Sequence, residues 1–327
     1  MILVTGGTGF IGGAVVRALV ARRERVRTLD NDWRGSRASL SDIAEKIEIV
    51  NGDIRDPLVV FEASRGVKSV IHLAAVNGTE NFYNRPDLVL EVGVKGIVNV
   101  IDAARASGVE NLFVMSTSEV YQTAPIVPTD ESAPMVVPDP LNPRYSYGSS
   151  KIISEMLALH ASKIARTCVV RPHNVYGPRM GFEHVIPQFV GRMLPLMKSS
   201  GTIRFPIQGT GTETRSFCHI DDFVRGFLVV FDRGENRNIY HVGSEEETSV
   251  CTLAEKIARY FGREIEIQTT PLTQGSTPRR CPNIGKIKKL GFKPQISLDE
   301  GLQSTIAWYE KNQPPATRSE EHVMAQT

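Results

Sequence analysis

The sequence is poor in the features that mark several classes of protein. Its 327 residues hold four cysteines, at positions 168, 218, 251 and 281, with no C-x-x-C spacing and no histidine cluster beside them. Neither a structural metal nor a disulfide framework is therefore expected, and four reduced, mostly buried thiols are. No run approaches the roughly eighteen apolar residues of a membrane span. The opening Met1-Ile2-Leu3-Val4 reads as a buried strand and lacks the basic region and apolar run of a secretory signal, so the expected location is cytoplasmic. An excess of one charge is also missing. The 38 basic and 36 acidic residues leave a net charge of +2, too little to form a general field for nucleic acid or membrane, and anion binding must be local. There is no internal repeat and no low-complexity tract.

What is present is a core's worth of apolar residues, 41% of the chain, in an alternating arrangement. Short β-branched runs at 1–5, 25–30, 46–50, 68–73, 110–116 and 167–171 alternate with helical patterns, among them 88–107 and 146–164. That alternation predicts an α/β fold, a doubly wound parallel sheet of Rossmann type over residues 1–171. Between Thr123 and Pro143 the chain is proline-rich and cannot form a helix or central strand. After Arg171 the pattern becomes irregular, and 172–327 is expected to form mainly a smaller α/β lobe for substrate. The segments 172–197, 201–240 and 262–327 belong to that lobe, and about 241–261 is a candidate to return to the first domain. The polar stretch 312–327 is expected to fray.

Thr5-Gly6-Gly7-Thr8-Gly9-Phe10-Ile11-Gly12 links the first strand to an amphipathic helix. Gly6, Gly9 and Gly12 allow a tight turn, a close backbone approach to a pyrophosphate and close helix–strand packing, while the helix start near Phe10 and Ile11 offers free amides. The second strand ends in Asp30, followed by Asn31. A carboxylate there can accept hydrogen bonds from both ribose hydroxyls of an adenosine and would repel a 2′-phosphate, which favours NAD over NADP. Arg34 nearby keeps NADP open.

Farther on, Ser116-Thr117-Ser118 ends a strand, and Tyr147 and Lys151 follow one helical turn apart. A phenol ordinarily ionises near ~10, so the lysine's charge, with that of an oxidised nicotinamide, is expected to favour the phenolate and fit Tyr147 to exchange a proton with a sugar hydroxyl.

In this order the motifs resemble those of the extended short-chain dehydrogenase/reductase family, which includes nucleotide-sugar epimerases, dehydratases and decarboxylases. The resemblance runs from Ile2 to about Tyr309. It implies that Asp53 and Ile54 contact adenine and that Leu73, Ala74, Ala75 and Ser116 line the cofactor. It also implies that Thr117, with Ser118 beside it, hydrogen-bonds the reacting oxygen, and that Asn174, Val185, Arg215 and Arg280 face a nucleotide-diphosphate sugar. Glu119 resembles the carboxylate of 4,6-dehydratases and uronate decarboxylases, although epimerases carry the same triplet and a plain ion pair would also account for it. His72 reads as a packed strand histidine. Two departures stand out: Gly93 replaces an asparagine and Gln122 a glycine.

The implied activity is an NAD-dependent epimerase working through a transient keto sugar, most simply at C4, with return of the hydride. A dehydratase or decarboxylase using Glu119 is the alternative, and a noncatalytic NAD-binding regulator is the alternative of another class. The resemblance also implies a homodimer through the helices at 88–107 and 146–164.

Overall fold

The computed structural model describes residues 1–271 and 277–313. Its first part runs β1 (Ile2–Thr5), α1 (Phe10–Ala21), β2 (Val26–Asp30), a 3₁₀ segment (Arg37–Lys46), β3 (Ile47–Asn51), α2 (Pro57–Ser64), β4 (Ser69–His72), α3 (Thr79–Asn84), α4 (Pro86–Ala106), β5 (Asn111–Met115), α5 (Ser146–Leu159) and β6 (Arg166–Pro172). All four residues of β1 are buried, as expected of a strand covered on both faces, whereas β3, at the sheet edge, is half exposed.

The remainder comprises β7 (Val175–Tyr176), α6 (Val185–Leu196), β8 (Ile203–Gln208), β9 (Thr214–Ser216), β10 (Cys218–His219), α7 (Ile220–Arg233), β11 (Asn238–Val242), β12 (Glu247–Ser249), α8 (Val250–Tyr260), β13 (Ile265–Thr270), β14 (Arg279–Arg280), α9 (Gly285–Lys289) and α10 (Leu298–Lys311). The main sheet has seven strands in the order β11-β6-β5-β4-β1-β2-β3, all paired in parallel. The order reverses beside β1, and at such a switch point the strand ends open a crevice for a ligand.

The early strands lie where the apolar runs put them, but the second half differs from expectation in packing. Helix α7, grouped with the lobe from sequence, lies on the main sheet: Phe223, Phe227 and Val230 are buried there, and the Phe113 ring is 6.1 Å from Phe227 and 5.0 Å from Phe231. Strand β11 completes the sheet beside β6. Conversely, α8, within the segment expected to return, packs with α6, α10, β8 and β13 in a separate core containing Phe189, Phe205, Ile257 and Ile306. Helix α5 ends at Leu159, five residues short of the helical pattern expected over 146–164. Residues 314–327, expected to fray, lie outside the described residues.

Gly93 has a packing reason. A Cβ on it would lie 2.6 Å from Ser150 Cβ, so α4 and α5 approach too closely there for asparagine. All four cysteines are free, and no described helix is long and apolar enough to cross a membrane.

Candidate active site

The turn after β1 is shaped by two glycines. Gly6 has φ +73°, and a Cβ on Gly12 would lie 2.0 Å from the Gly6 carbonyl oxygen. Only a backbone without side chains folds this tightly. Helix α1 starts after Gly9 with no side-chain cap, which leaves the amide end of the helix, at Phe10 and Ile11, facing the crevice as an anion site. At the end of β2 the Asp30 carboxylate accepts from the amides of Thr8 and Asp32, each at 3.0 Å. Asn31 donates to Asp53 at 3.0 Å, and Arg55 clasps Asp53, holding its carboxyl below the usual range. Ile54 is buried against α4. On the next strand end, the Leu73 amide donates to Thr5 at 3.1 Å and the Ala74 amide to the Thr5 hydroxyl at 3.4 Å, with Ala75 beside them. This cradle, narrow at the glycines and acidic at Asp30, fits a dinucleotide without a 2′-phosphate. Arg34 is not aimed at such a phosphate, since its guanidinium donates to Glu183 across the crevice.

Beyond the β4 and β5 ends stand the candidate chemical groups. Thr117 and Ser118 are buried, and Thr117 caps a short 3₁₀ turn at Ser118–Tyr121 by accepting from the Glu119 amide at 3.2 Å. Tyr147 is buried in the first turn of α5, and Thr117 favours ionisation of its phenol. Lys151, one turn on, donates to the Met115 carbonyl at 2.8 Å and lies 5.8 Å from the Tyr147 ring centroid. Burial pushes the Lys151 ammonium down to about 8. Burial also pushes the Tyr147 phenol above its ordinary value, with Glu119's charge acting in the same direction; Arg34 and Thr117 pull it back. Lys151, expected to favour the phenolate, stands over the Tyr147 ring with its ammonium on the Met115 carbonyl. His72 is buried, bonded to Thr5 at 2.8 Å and held down at about 3 by burial and then by Lys151's charge, so it is neutral.

Glu119 is the largest surprise of the site. Arg144 forks both of its oxygens, at 2.7 and 3.1 Å, and Arg280 approaches at 3.5 Å. Burial alone would raise this carboxyl, but the Arg280 charge and the Arg144 hydrogen bonds prevail and hold it at about 2. Arg280, expected on a diphosphate, is thus shared with Glu119. Arg215, its neighbour across the parallel β9–β14 pair, donates to the Thr214 and Thr277 carbonyls at 2.8 and 2.7 Å. Asn174, at φ +39°, donates to the Ser216 carbonyl at 3.1 Å, and Val185 opens α6 with its side chain partly buried against the lobe core. Ser116 is buried and its hydroxyl donates to Glu155, the buried partner of Arg171.

The sequence reading missed Arg144, although it lies only three residues before Tyr147. It also missed Phe82, whose ring stacks on Tyr147. Gln122, the other departure, takes φ +51°, a conformation that favours glycine, and its amide donates to the Glu119 carbonyl at 2.7 Å. Among the described residues no three or more His, Cys, Asp or Glu side chains are grouped to hold a metal ion.

Comparison with known proteins agrees with this arrangement. Residues 2–243 match the model of the NAD dependent epimerase/dehydratase family. A putative UDP-glucose 4-epimerase of Methanocaldococcus jannaschii is 31% identical, over 95% of this chain and 99% of its own. UDP-glucuronic acid decarboxylase 1 of Xenopus tropicalis is 29% identical over 95% of this chain and 72% of its own. A solved dTDP-glucose 4,6-dehydratase of Streptomyces venezuelae, with NAD bound, superposes with a TM-score of 0.85 at 30% identity, covering 95% of this chain and 97% of that one.

Proposed function

The chain belongs to the NAD-dependent epimerase/dehydratase family, with NAD as its cofactor, and we propose that it is a nucleotide-sugar epimerase acting through a transient keto sugar, at C4. The observation that carries this choice is the Arg144 fork on Glu119. A carboxylate held at about 2 by two guanidinium groups is a weak base, poorly suited to removing the carbon-bound proton that dehydration, or inversion beside a keto group, requires. Inversion at C4 needs no such base. It requires a group that exchanges the hydroxyl proton, and buried Tyr147, whose ionisation Thr117 favours, supports that role. Bound in the glycine turn with its ribose at Asp30, NAD supplies an acceptor that takes a hydride and gives it back.

Asn174, Arg215 and Arg280 support recognition of a diphosphate, since guanidinium forks match phosphate oxygens. A homodimer through α4 and α5 is part of the same reading, supported by the exposed Leu90, Val98, Ile153, Met156 and Leu157 on those helices.

A second reading, a uronic acid decarboxylase, is favoured by one observation: two guanidinium groups, Arg144 and Arg280, meet at the single carboxylate of Glu119, with Arg215 beside Arg280 in the β9–β14 pair, a surplus of cations suited to an acidic sugar. The deciding experiment is incubation with a panel of sugar nucleotides in deuterated water, followed by NMR of the products. A C4 epimer without carbon-bound deuterium is expected. Loss of carbon dioxide from a uronic sugar, with deuterium on the carbon that lost it, would replace this proposal with the second reading, and deuterium on carbon with no carbon dioxide lost would replace it with dehydration or inversion at C3 or C5.

A further inference from the structure

Phe82 does not belong to any of the motifs above, yet it is the side chain most intimately placed on Tyr147. It sits in α3, a short helix between the β4 strand end and α4, and is 2% exposed. Its ring lies 5.2 Å from the Tyr147 ring, centroid to centroid, with an angle of 12° between their planes. The same ring carries the Arg144 guanidinium, 5.2 Å from its centroid, and Arg144 is the residue that forks Glu119. The Tyr147 phenol is therefore surrounded by Phe82 stacked on its ring and the Lys151 ammonium 5.8 Å from its centroid, with Thr117 and the charges of Glu119 and Arg34 acting on its acidity.

A phenol has two side-chain torsions. Tyr147 stands in the first turn of α5, so its χ1 is restricted by the helix, but the ring torsion is broad unless something packs on the face. A parallel aromatic neighbour supplies that restraint; the phenol oxygen lies on the torsion axis and does not move, but conjugation keeps its O–H bond near the ring plane, so holding the ring holds the plane in which the proton is exchanged.

We infer that Phe82 is a positioning residue, whose stacked ring fixes the plane of Tyr147 and with it the plane in which the phenol O–H bond meets the substrate hydroxyl that would exchange its proton. The inference rests on Tyr147 being the proton-transfer group. Through Arg144, the same ring ties the Tyr147 plane to the Glu119 clamp, so the two candidate chemical groups share one support.

The test uses the NAD-loaded full chain carrying fluorotyrosine, with the Tyr147 signal assigned by its loss in Tyr147→Phe. In Phe82→Leu, which keeps most of the volume, the Tyr147 ring-flip rate is expected to rise at least ~10-fold, and kcat to fall ~10-fold with KM within about twofold. Phe82→Tyr should keep both near wild type, because the stack survives. An unchanged flip rate in Phe82→Leu overturns the inference, and so does a faster flip with undiminished kcat, since the hold would then not matter to the reaction. If Phe82→Leu fails to bind NAD, Phe82→Met is the variant on which the same readings decide. Should the wild-type protein turn over no sugar nucleotide, the functional reading fails, while the flip rate still decides whether Phe82 holds Tyr147.

Discussion

Arg144 grips both carboxylate oxygens of Glu119, at 2.7 and 3.1 Å, from a position three residues ahead of Tyr147 in the chain. The pair is largely shielded, with side chains 14% and 18% exposed, so it is more than a surface ion pair, and it ties the loop before α5 to the end of β5.

For an enzyme inverting C4, Glu119→Gln should leave kcat within roughly tenfold, because neither the hydride nor the hydroxyl proton passes through the carboxylate. A loss on the order of 10² or more, the size of a general-base effect, would show that Glu119 takes part in the chemistry. Steady-state rates on the identified substrate check this.

Tyr147→Phe removes the phenol hydroxyl and keeps the ring stacked on Phe82. NAD affinity should be retained while turnover falls by at least ~10². Near-normal turnover would remove Tyr147 from the mechanism, and a loss of turnover on every sugar nucleotide in the wild type, with NAD still bound, would turn the reading toward a noncatalytic NAD-binding regulator.

Calorimetry should find NAD bound more tightly than NADP, since a carboxylate at the end of β2, Asp30, would repel a 2′-phosphate and Arg34 is taken by Glu183. Asp30→Ser should narrow the preference by about tenfold or more. Tighter binding of NADP by the wild type would reverse the reading of Asp30.

The Lys151 ammonium is held at about 8, below its ordinary 10.5, by burial. Between those values the unfolded chain binds a proton that the folded chain has released, so this group's contribution to stability increases as pH rises from about 8 to 10.5. The stability of the wild type relative to Lys151→Met, measured by denaturant unfolding across that window, should increase with pH. A flat difference would mean that the ammonium keeps its ordinary value.

Glu155 and Arg171 form a fully buried pair, 0% and 1% exposed, with bonds of 2.8 and 2.6 Å. Glu155→Gln leaves the guanidinium without its counter-charge and should cost about 3–5 kcal/mol of stability. Thermal or denaturant unfolding checks this, and a cost below ~1 kcal/mol would show that Tyr121 and the Glu131 carbonyl alone can hold Arg171.

The parallel sheet, the glycine turn, Asp30 at the end of β2 and the one-turn spacing of Tyr147 and Lys151 were all legible in the sequence. Each rests on local physics: a period of two or of 3.6, a backbone conformation that glycine permits, or a helix face that repeats every three to four residues. The return of α7 and β11 to the main sheet was not legible, because a helix with one apolar face looks the same whichever core it covers. Nor were the partners that define the site. Arg280 reaches Glu119 across 161 residues of sequence and Arg34 reaches Glu183 across 149, while Phe82 meets Tyr147 only because α3 and the start of α5 converge at neighbouring strand ends. Sequence therefore determined which residues could do chemistry. The tertiary structure decided which charges and rings face them, and with that whether Glu119 is a base or the anchor of a clamp, because the acidity of a buried group is set by what surrounds it and not by what precedes it in the chain.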